Sequence, residues 1–385
     1  MKALTKQNQI EMQKSLLHRH SKGFDALRGI AALTVCIFHM NSCGFGLVDY
    51  QWTMVGQLGV NLFFTLSGFL ITRSVLLQET WKPARYFESR ARRILPNFYI
   101  AVMLVLLFVN VTPAYNMSTW KFIGNLASHL TLLHGWFSDF RVSIMGPFWT
   151  LSHEWCFYIL MGVTALWVRG KFGWMLPLSM VIIALSARYC YYSGFLKLSA
   201  GYKNPLCQWD QFAPGILAAL FLFKKKAVPK WFPYVAGIAG LALTAAMLQR
   251  YIATSLEAAT VTDGFQEHAR EFSRTFIRRK SNALYFQFFL SVGFSGILAS
   301  LWMLPPARTD WLSKTPLLWM GKVSYSTYLY HVPIILTFMS GFKKLEPHSA
   351  LSNPTVAFFI ILLCIYLFSE FAYRSFEAPW FRKSS

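Results

Sequence analysis

Ten long apolar runs, separated by more polar segments, constrain this chain more than any other feature. A helix needs about 20 mostly apolar residues to cross the hydrocarbon core of a bilayer, and the runs are close to that length. They lie at residues 24–43, 57–77, 95–112, 147–168, 172–192, 205–223, 231–249, 283–304, 322–341 and 354–373. We therefore predict an all-α fold, a polytopic transmembrane helical bundle of about ten transmembrane helices.

The composition agrees with a membrane protein and excludes other classes. Charged residues make up 14% of the chain, whereas soluble domains average about 25%. Aromatic residues make up 17%, as expected where many helices cross membrane interfaces. The formal net charge of +21 would suit a nucleic-acid-binding protein, but the basic residues lie in short islands between apolar runs. We predict contact with membrane lipid and no nucleic-acid partner.

The distribution of Lys and Arg predicts how the chain is oriented. With the N-terminus in the cytoplasm, 21 of the 37 basic residues fall on the inside and 12 on the outside, six of them in one outer loop at about 250–282. Cytoplasmic loops are the ones enriched in Lys and Arg. We predict cytoplasmic termini, with an N-terminal segment at 1–22 that suits an interfacial helix, a membrane domain at 23–374 and a tail at 375–385.

Ionisable residues inside the apolar runs mark the first candidate site, because such residues are costly in a membrane unless they have a partner or a task. His39 and Glu154 are predicted at similar depth in the outer half of the first and fourth spans. As a dyad, the carboxylate would orient the ring and support a proton-accepting nitrogen. His39 as a plain packing residue is the alternative. On a helix, the side chain of His153 points about 100° away from that of Glu154. We therefore rank His153 below His39 and Glu154 as a candidate catalytic residue.

Arginines cluster between the second and third spans. Arg73, Arg90 and Arg93 lie within about twenty residues, and guanidinium forks bind phosphate oxygens bidentately. Together with Arg28, they are our candidate binding residues for an anionic cofactor. Alternatively, the arginine cluster orients the chain in the membrane and contacts lipid headgroups. For Arg28, the alternative is a local ion pair with Asp25.

Polar residues in the second and ninth spans are candidates for substrate binding. They are Asn61, Ser67, Tyr325, Tyr328 and His331. Small and polar residues allow close helix approach or line a cavity. Near the C-terminus, Glu377 is expected to be a solvated carboxylate at the inner interface.

The six cysteines lie far apart and show no metal-binding spacing. Most fall within apolar runs, where cysteine usually acts as a small packing residue. We predict no metal site and no disulfide. The first 22 residues are polar, so we also expect no cleavable signal peptide.

Six segments resemble the acyltransferase-3 family of bacterial integral-membrane acyltransferases. In chain order they are FDALRGIAALTVCIFH, VNLFFTLSGFLIT, SRARRILP, PFWTLSHEW, GKVSYSTYLYH and FEAPWFRK. The resemblance implies transfer of an acyl group, usually acetyl, from cytoplasmic acyl-CoA (acetyl-CoA) to a hydroxyl. The implied acceptor is a glycan or lipid-linked saccharide, such as O-antigen, lipopolysaccharide or exopolysaccharide. It also implies a protein of the bacterial inner membrane, and the chain resembles members that lack an appended SGNH-type domain.

The family's functional residues carry over to His39, Arg28, Arg90, Arg93 and Glu154. One departure is Thr150, which stands where the family usually has Ser. His39 is implied as the catalytic residue, either as a general base or as an acyl relay, and the sequence does not separate the two. The outer loop, least similar to the family, either caps the acceptor site or forms a plain solvated helix.

Three other functions stay open from the sequence. A transporter or exporter of a glycan or small molecule would also carry polar residues in mid-membrane, although it would predict inverted repeats and we find none. An acyltransferase acting on a small molecule such as a macrolide is the second. The third is a catalytically silent sensor or assembly partner, against which the retained His39 and Arg28 argue. Oligomeric state is not predicted.

Overall fold

The computed structural model describes residues 22–47, 49–109, 112–199, 201–224, 228–260, 262, 265–342 and 353–381. Within those ranges the chain forms helices and turns, with no β-strand. The predicted all-α fold is confirmed. The interfacial helix proposed for the N-terminal segment lies outside the described residues, apart from residue 22.

Fourteen α-helices of five residues or more, counted over the described ranges, are numbered here in chain order. They are α1 (Lys22–Ser42), α2 (Gly59–Leu76), α3 (Pro83–Phe108), α4 (Thr119–Leu130), α5 (Trp149–Val163), α6 (Ala165–Arg169), α7 (Met175–Tyr192), α8 (Ala213–Lys224), α9 (Phe232–Ala259), α10 (Phe265–Arg278), α11 (Lys280–Met303), α12 (Leu317–Lys322), α13 (Ser324–Phe342) and α14 (Pro354–Ala372). A π-helical turn, Tyr373–Glu377, continues α14.

Eight helical segments in the described part of the chain are long and apolar enough to cross a membrane. They contain α1, α2, α3, α7, α8, α9, α11 and α14. The other two predicted spans are helical as well, but α5 has only 15 residues before its break at Thr164, and α13 carries a polar Tyr-, Ser- and Thr-rich first half. The chain is thus a multi-pass membrane protein.

Helix boundaries differ from the predicted spans at three places. Helix α3 begins at Pro83, twelve residues before the predicted start at 95, because proline suits the first helical position and the Arg-rich segment is made of good helix formers. Helix α9 continues to Ala259 and is followed by α10, so the predicted outer loop is largely helical. Helix α4 forms where a loop was predicted.

Glycines bring the helices of the site into close contact. A Cβ added to Gly215 of α8 would be much closer to the Thr65 carbonyl oxygen of α2 than van der Waals contact allows. A Cβ on Gly321 of α12 would overlap the Asp25 carbonyl oxygen of α1 in the same way. Small residues let membrane helices approach closely, since dispersion contacts rather than the hydrophobic effect hold them together. These contacts help position α1 and α2, the helices that carry His39 and Asn61.

Substitution of Gly215 by alanine is expected to destabilise the protein by about 1–3 kcal/mol, because the added methyl overpacks the α2–α8 contact. Gly341→Ala is the matched control, since nothing lies within 4 Å of the methyl that it adds in α13. There, alanine is expected to be neutral or stabilising. Thermal denaturation in detergent measures both variants. Equal melting temperatures for the two would show that the contact can relax at no cost.

Candidate active site

Two adjoining cavities inside the bundle contain nearly all of the predicted site residues. The larger, about 300 Å³, lies where α7 and α9 end and α11 begins, and His39 and Asn61 line it. We call it the His39 cavity. The smaller, about 120 Å³, is lined by Arg28, Arg90, Arg93 and other residues, and we call it the arginine cavity. Val60 and Tyr328 line both cavities, so the two cavities lie next to each other on either side of these residues.

His39 in α1 contacts a second imidazole, that of His331 in α13. His331 Nε2 lies 3.2 Å from His39 Nδ1, and the latter is also 3.0 Å from the carbonyl oxygen of Val35. His331 Nδ1 lies 2.9 Å from the Tyr328 carbonyl oxygen. Because carbonyl oxygens only accept hydrogen bonds, both Nδ1 atoms carry the proton. His331 Nε2 is then an acceptor, and Nε2 of His39 keeps a lone pair.

Glu154 lies in the arginine cavity rather than beside His39. Its Oε1 accepts hydrogen bonds from Ser67 Oγ at 2.8 Å and from the Tyr158 hydroxyl at 2.5 Å. The predicted contact between Glu154 and His39 is therefore absent, and the side chain that contacts His39 is that of His331. The depth argument failed because it compares heights along helix axes, whereas the direction of a side chain around the axis depends on tertiary packing.

Asn61 is a buried residue, 5% exposed, that lines the His39 cavity. Among the described residues, its Nδ2 atom has no hydrogen-bond partner. Buried polar groups are nearly always hydrogen-bonded. A donor left unpaired on a cavity wall therefore marks a position where a ligand oxygen fits.

The arginine cavity gathers three of the four predicted cofactor-binding residues. Arg28 of α1 forms the ion pair with Asp25 that the sequence left as an alternative, at 3.1 Å, and it lines the cavity with Arg90 and Arg93 of α3. Arg73 is not among the lining residues, and its guanidinium stacks 4.9 Å from the Trp302 ring. The sequence could not separate Arg73 from the others, because proximity along the chain does not show which helix face meets a cavity.

The remaining predicted residues divide between the two cavities. Ser67 and Tyr325 line the arginine cavity, and the Tyr325 hydroxyl donates to the carbonyl oxygen of Ile94. Tyr328 stands at the junction, where its hydroxyl donates to the Pro147 carbonyl oxygen and accepts from Thr150 Oγ1 at 2.7 Å. The family's usual Ser is thus replaced here by a Thr that still supplies a hydroxyl.

Glu377 corrects one expectation from the sequence. It is 3% exposed rather than solvated, because the π-helical turn after α14 directs it inward. Its Oε2 accepts from Ser326 Oγ, which accepts in turn from Asn97 Nδ2, while Asn97 Oδ1 accepts from the Tyr330 hydroxyl. This buried network joins α3, α13 and the C-terminal turn, and so supports the helix that carries Arg90 and Arg93.

The structure adds candidates that the sequence reading did not single out. Lys203 and Trp149 line the His39 cavity, and Tyr158 lines the arginine cavity. Helix α10 contributes Phe272 and Phe276 to the wall of the His39 cavity, in agreement with a cap over that cavity. No sequence signal marked Lys203, since a lysine between two spans is ordinary. Within the described ranges, no group of three or more His, Cys, Asp or Glu could hold a metal ion. Arg28, Arg90 and Arg93 carry the charge that suits an anionic cofactor.

Comparison with known proteins shows which family the chain belongs to. The family described as "Acyltransferase domain" matches residues 21–372. O-acetyltransferase OatA of Staphylococcus aureus (strain NCTC 8325 / PS 47) is 24% identical over 96% of this chain and 58% of its own length. The peptidoglycan O-acetyltransferase OatA of Listeria monocytogenes is 24% identical, covering 94% of this chain and 56% of its own length.

A third relative, the putative peptidoglycan O-acetyltransferase YrhL of Bacillus subtilis, is 23% identical over 95% of this chain and 56% of its own length. The chain thus spans somewhat more than half the length of these relatives. No solved structure matches it significantly. The match to the family covers nearly all of the chain, and it includes both cavities. The chain belongs to the acyltransferase-3 family of integral-membrane acyltransferases.

Proposed function

We propose that this protein is an O-acyltransferase that moves an acyl group, in the simplest case acetyl, from cytoplasmic acyl-CoA to a hydroxyl of a surface glycan. The observation that carries the proposal is the meeting of a basic cavity and a histidine cavity at Val60 and Tyr328. In our proposal, the donor occupies the basic cavity and the acceptor occupies the histidine cavity. The names of the relatives, which include peptidoglycan O-acetyltransferases, support a glycan acceptor.

The arginine cavity suits the donor. The phosphates of CoA are costly to bring into hydrocarbon, and Arg90 and Arg93 offer guanidinium forks for them. Arg28 lines the same cavity but is paired with Asp25. The pantetheine arm is slender, extended and uncharged. In our proposal it reaches past Ser67 toward Tyr328, which brings the thioester to the junction with the His39 cavity.

The His39 cavity suits the acceptor and the proton transfer. In the proposed step, His39 Nε2 takes the proton of the acceptor hydroxyl while the hydroxyl oxygen attacks the acyl carbonyl carbon. The C–S bond breaks and CoA leaves as a thiolate. His39 then carries a positive charge that the Val35 carbonyl oxygen and His331 Nε2 stabilise through its Nδ1–H. An acyl group carried on His39 itself is the competing form of this step.

Orientation and compartment are part of the proposal. The excess of Lys and Arg on one side of the spans supports cytoplasmic termini in the bacterial inner membrane. The arginine cavity, built from the beginnings of α1 and α3, then faces the cytoplasm where acyl-CoA is made. The His39 cavity, under α10, faces outward where the glycan arrives.

Mass spectrometry of surface glycans tests the function directly. Cells with the intact gene, without it, and with a His39→Ala variant are compared, and the peptidoglycan and lipopolysaccharide fractions are analysed separately. A mass increase that only the intact gene produces gives the acyl group and the acceptor together. Identical glycans in all three strains, with the protein present in the membrane, would refute the proposal.

Replacing Arg90 and Arg93 with glutamine is expected to raise the KM for acyl-CoA at least tenfold while changing kcat little, because charge-assisted hydrogen bonds to phosphate are lost. Arg92→Gln is the matched control, since Arg92 pairs with the exposed Glu88 on the same helix and is not among the residues lining the cavity. Steady-state kinetics with varied acetyl-CoA measures both. An unchanged KM in the double variant would remove these arginines from the donor site.

A further inference from the structure

The wall of the His39 cavity has the chemistry of a saccharide site with one unbalanced charge. Amides and aromatic rings dominate it, among them Trp149, Tyr202 and Gln211, and the described lining includes no Asp or Glu. Its cations are Arg188 and Lys203. They differ, however, in whether the protein itself supplies a counter-ion.

Arg188 is already neutralised. It forms an ion pair with Asp210, and both side chains are almost fully buried, at 1% and 0% exposure. Its Nη1 also donates to the Leu284 carbonyl oxygen. A buried ion pair of this kind has no net charge for a ligand to balance. The positive charge available to a ligand therefore belongs to Lys203.

Lys203 is held in place without being neutralised. Its carbonyl oxygen lies 2.9 Å from His153 Nε2, and its ammonium stands 5.2 Å from the centre of the Trp149 ring. Among the described residues, no carboxylate lies within ion-pair distance of its Nζ. Burial, with a contribution from the nearby Arg141 guanidinium, lowers the pKa of Lys203 to about 8. That direction is expected of an ammonium that lacks a counter-ion.

We propose that the acceptor carries an anionic group, a carboxylate or a phosphate, near the hydroxyl that is acylated, and that Lys203 Nζ binds it. The proposal rests on the proposed function and narrows it to anionic glycans. Lys203 and His39 line one cavity and interact electrostatically, so an anion on Lys203 fixes the neighbouring sugar hydroxyls relative to His39. Lys203 is thus a residue that determines acceptor specificity.

Helix α10 provides independent support for an anionic acceptor. Its Phe272 and Phe276 line the His39 cavity, whereas Arg270, Arg274 and Arg278 lie on its exposed side. Arg274 is partly offset by an ion pair with Glu271. A basic exposed face on a helix that lines a cavity raises the local concentration of anionic ligands. In our proposal, the exposed arginines of α10 attract the anionic glycan and Lys203 binds it inside the cavity.

Saccharide binding to the full chain in nanodiscs tests this inference, with tryptophan fluorescence as the readout. Two pairs of probes separate the possible anions: hexagalacturonate against its methyl ester, and maltohexaose with a terminal phosphate against plain maltohexaose. Wild type is expected to bind the charged member of at least one pair about tenfold more tightly, as a charge-assisted hydrogen bond predicts. The pair that shows the preference identifies carboxylate or phosphate.

Three variants then assign the preference to Lys203. Lys203→Met is expected to abolish the preference and leave binding of the neutral probes unchanged, whereas Lys203→Arg keeps most of it. Lys197→Met is the matched control, because Lys197 is an exposed lysine in the same segment, and it should behave as wild type. The inference is overturned if wild type shows no preference in either pair, or if the methionine variants at 203 and 197 lose it equally.

Acetyl-CoA consumption in the same preparations separates this inference from the proposed function. A protein that prefers the charged probes through Lys203 but never consumes acetyl-CoA would refute the acyltransfer and retain the anion site. A protein that consumes acetyl-CoA and shows no charge preference would refute the anion site and retain the acyltransfer. Lys203→Met is expected to keep the wild-type KM for acetyl-CoA, because Lys203 lines the His39 cavity and not the arginine cavity.

Discussion

Alanine in place of His39 is expected to lower kcat for acyl transfer by about a thousandfold or more. A positioned general base contributes roughly 10²–10⁴ in rate, and the lone pair on His39 Nε2 is the acceptor that the His39–His331 contact leaves available. The KM for acyl-CoA should stay near the wild-type value, because the arginine cavity is unaltered. The measurement is transfer of radiolabelled acetyl from acetyl-CoA by protein in nanodiscs. Unimpaired transfer by this variant would refute the proposed role.

His331→Asn serves as the companion variant. It removes the imidazole that pairs with His39 Nδ1 but leaves the His39 ring in place, so a smaller loss and a shifted pH–rate profile are expected. Labelled acetyl that remains covalently bound to the wild-type chain after denaturation, and is absent from His39→Ala, would favour the acyl relay. Absence of any covalent label favours His39 as general base. A His331→Asn variant with wild-type rate and pH profile would show that the ring contact has no role in positioning.

Substitution of Asn61 by leucine is expected to lower kcat by about a hundredfold without lowering thermal stability. The Nδ2 atom is an unpaired buried donor in the His39 cavity, and one donor to a developing oxyanion contributes roughly 10²–10³ in kcat. Because the native protein gains no hydrogen bond from this atom, an apolar side chain of similar size should leave the melting temperature equal or higher. Kinetics and thermal denaturation on the same preparation measure both effects.

Asn97→Leu is the control for Asn61→Leu. Asn97 is also buried, but its Nδ2 donates to Ser326 and its Oδ1 accepts from Tyr330. Its replacement should therefore lower the melting temperature, because it leaves buried partners unpaired. A stability loss at Asn61 as large as that at Asn97 would indicate a structural role for Asn61 and contradict its assignment as a donor to the substrate.

Local hydropathy explains where prediction of the spans succeeded and where it failed. Eight predicted spans correspond to helices that can cross a membrane, since apolar length is a local property. The break at Thr164 and the early start at Pro83 were missed. Each depends on contacts with neighbouring helices or on helix propensity in a polar segment, which hydropathy does not report.

The sequence by itself determined the membrane class, the family, and the residues worth testing, because apolar runs, misplaced charges and ordered motifs can be read along the chain. Only the tertiary structure decided which of them meet. In the structure, His39 contacts His331, and Glu154 lies in the arginine cavity. Glu377 is buried, and Lys203 lines the His39 cavity. The physical reason is that a helix presents side chains in all directions, and only contacts between helices, such as the one at Gly215, select the direction that faces a cavity.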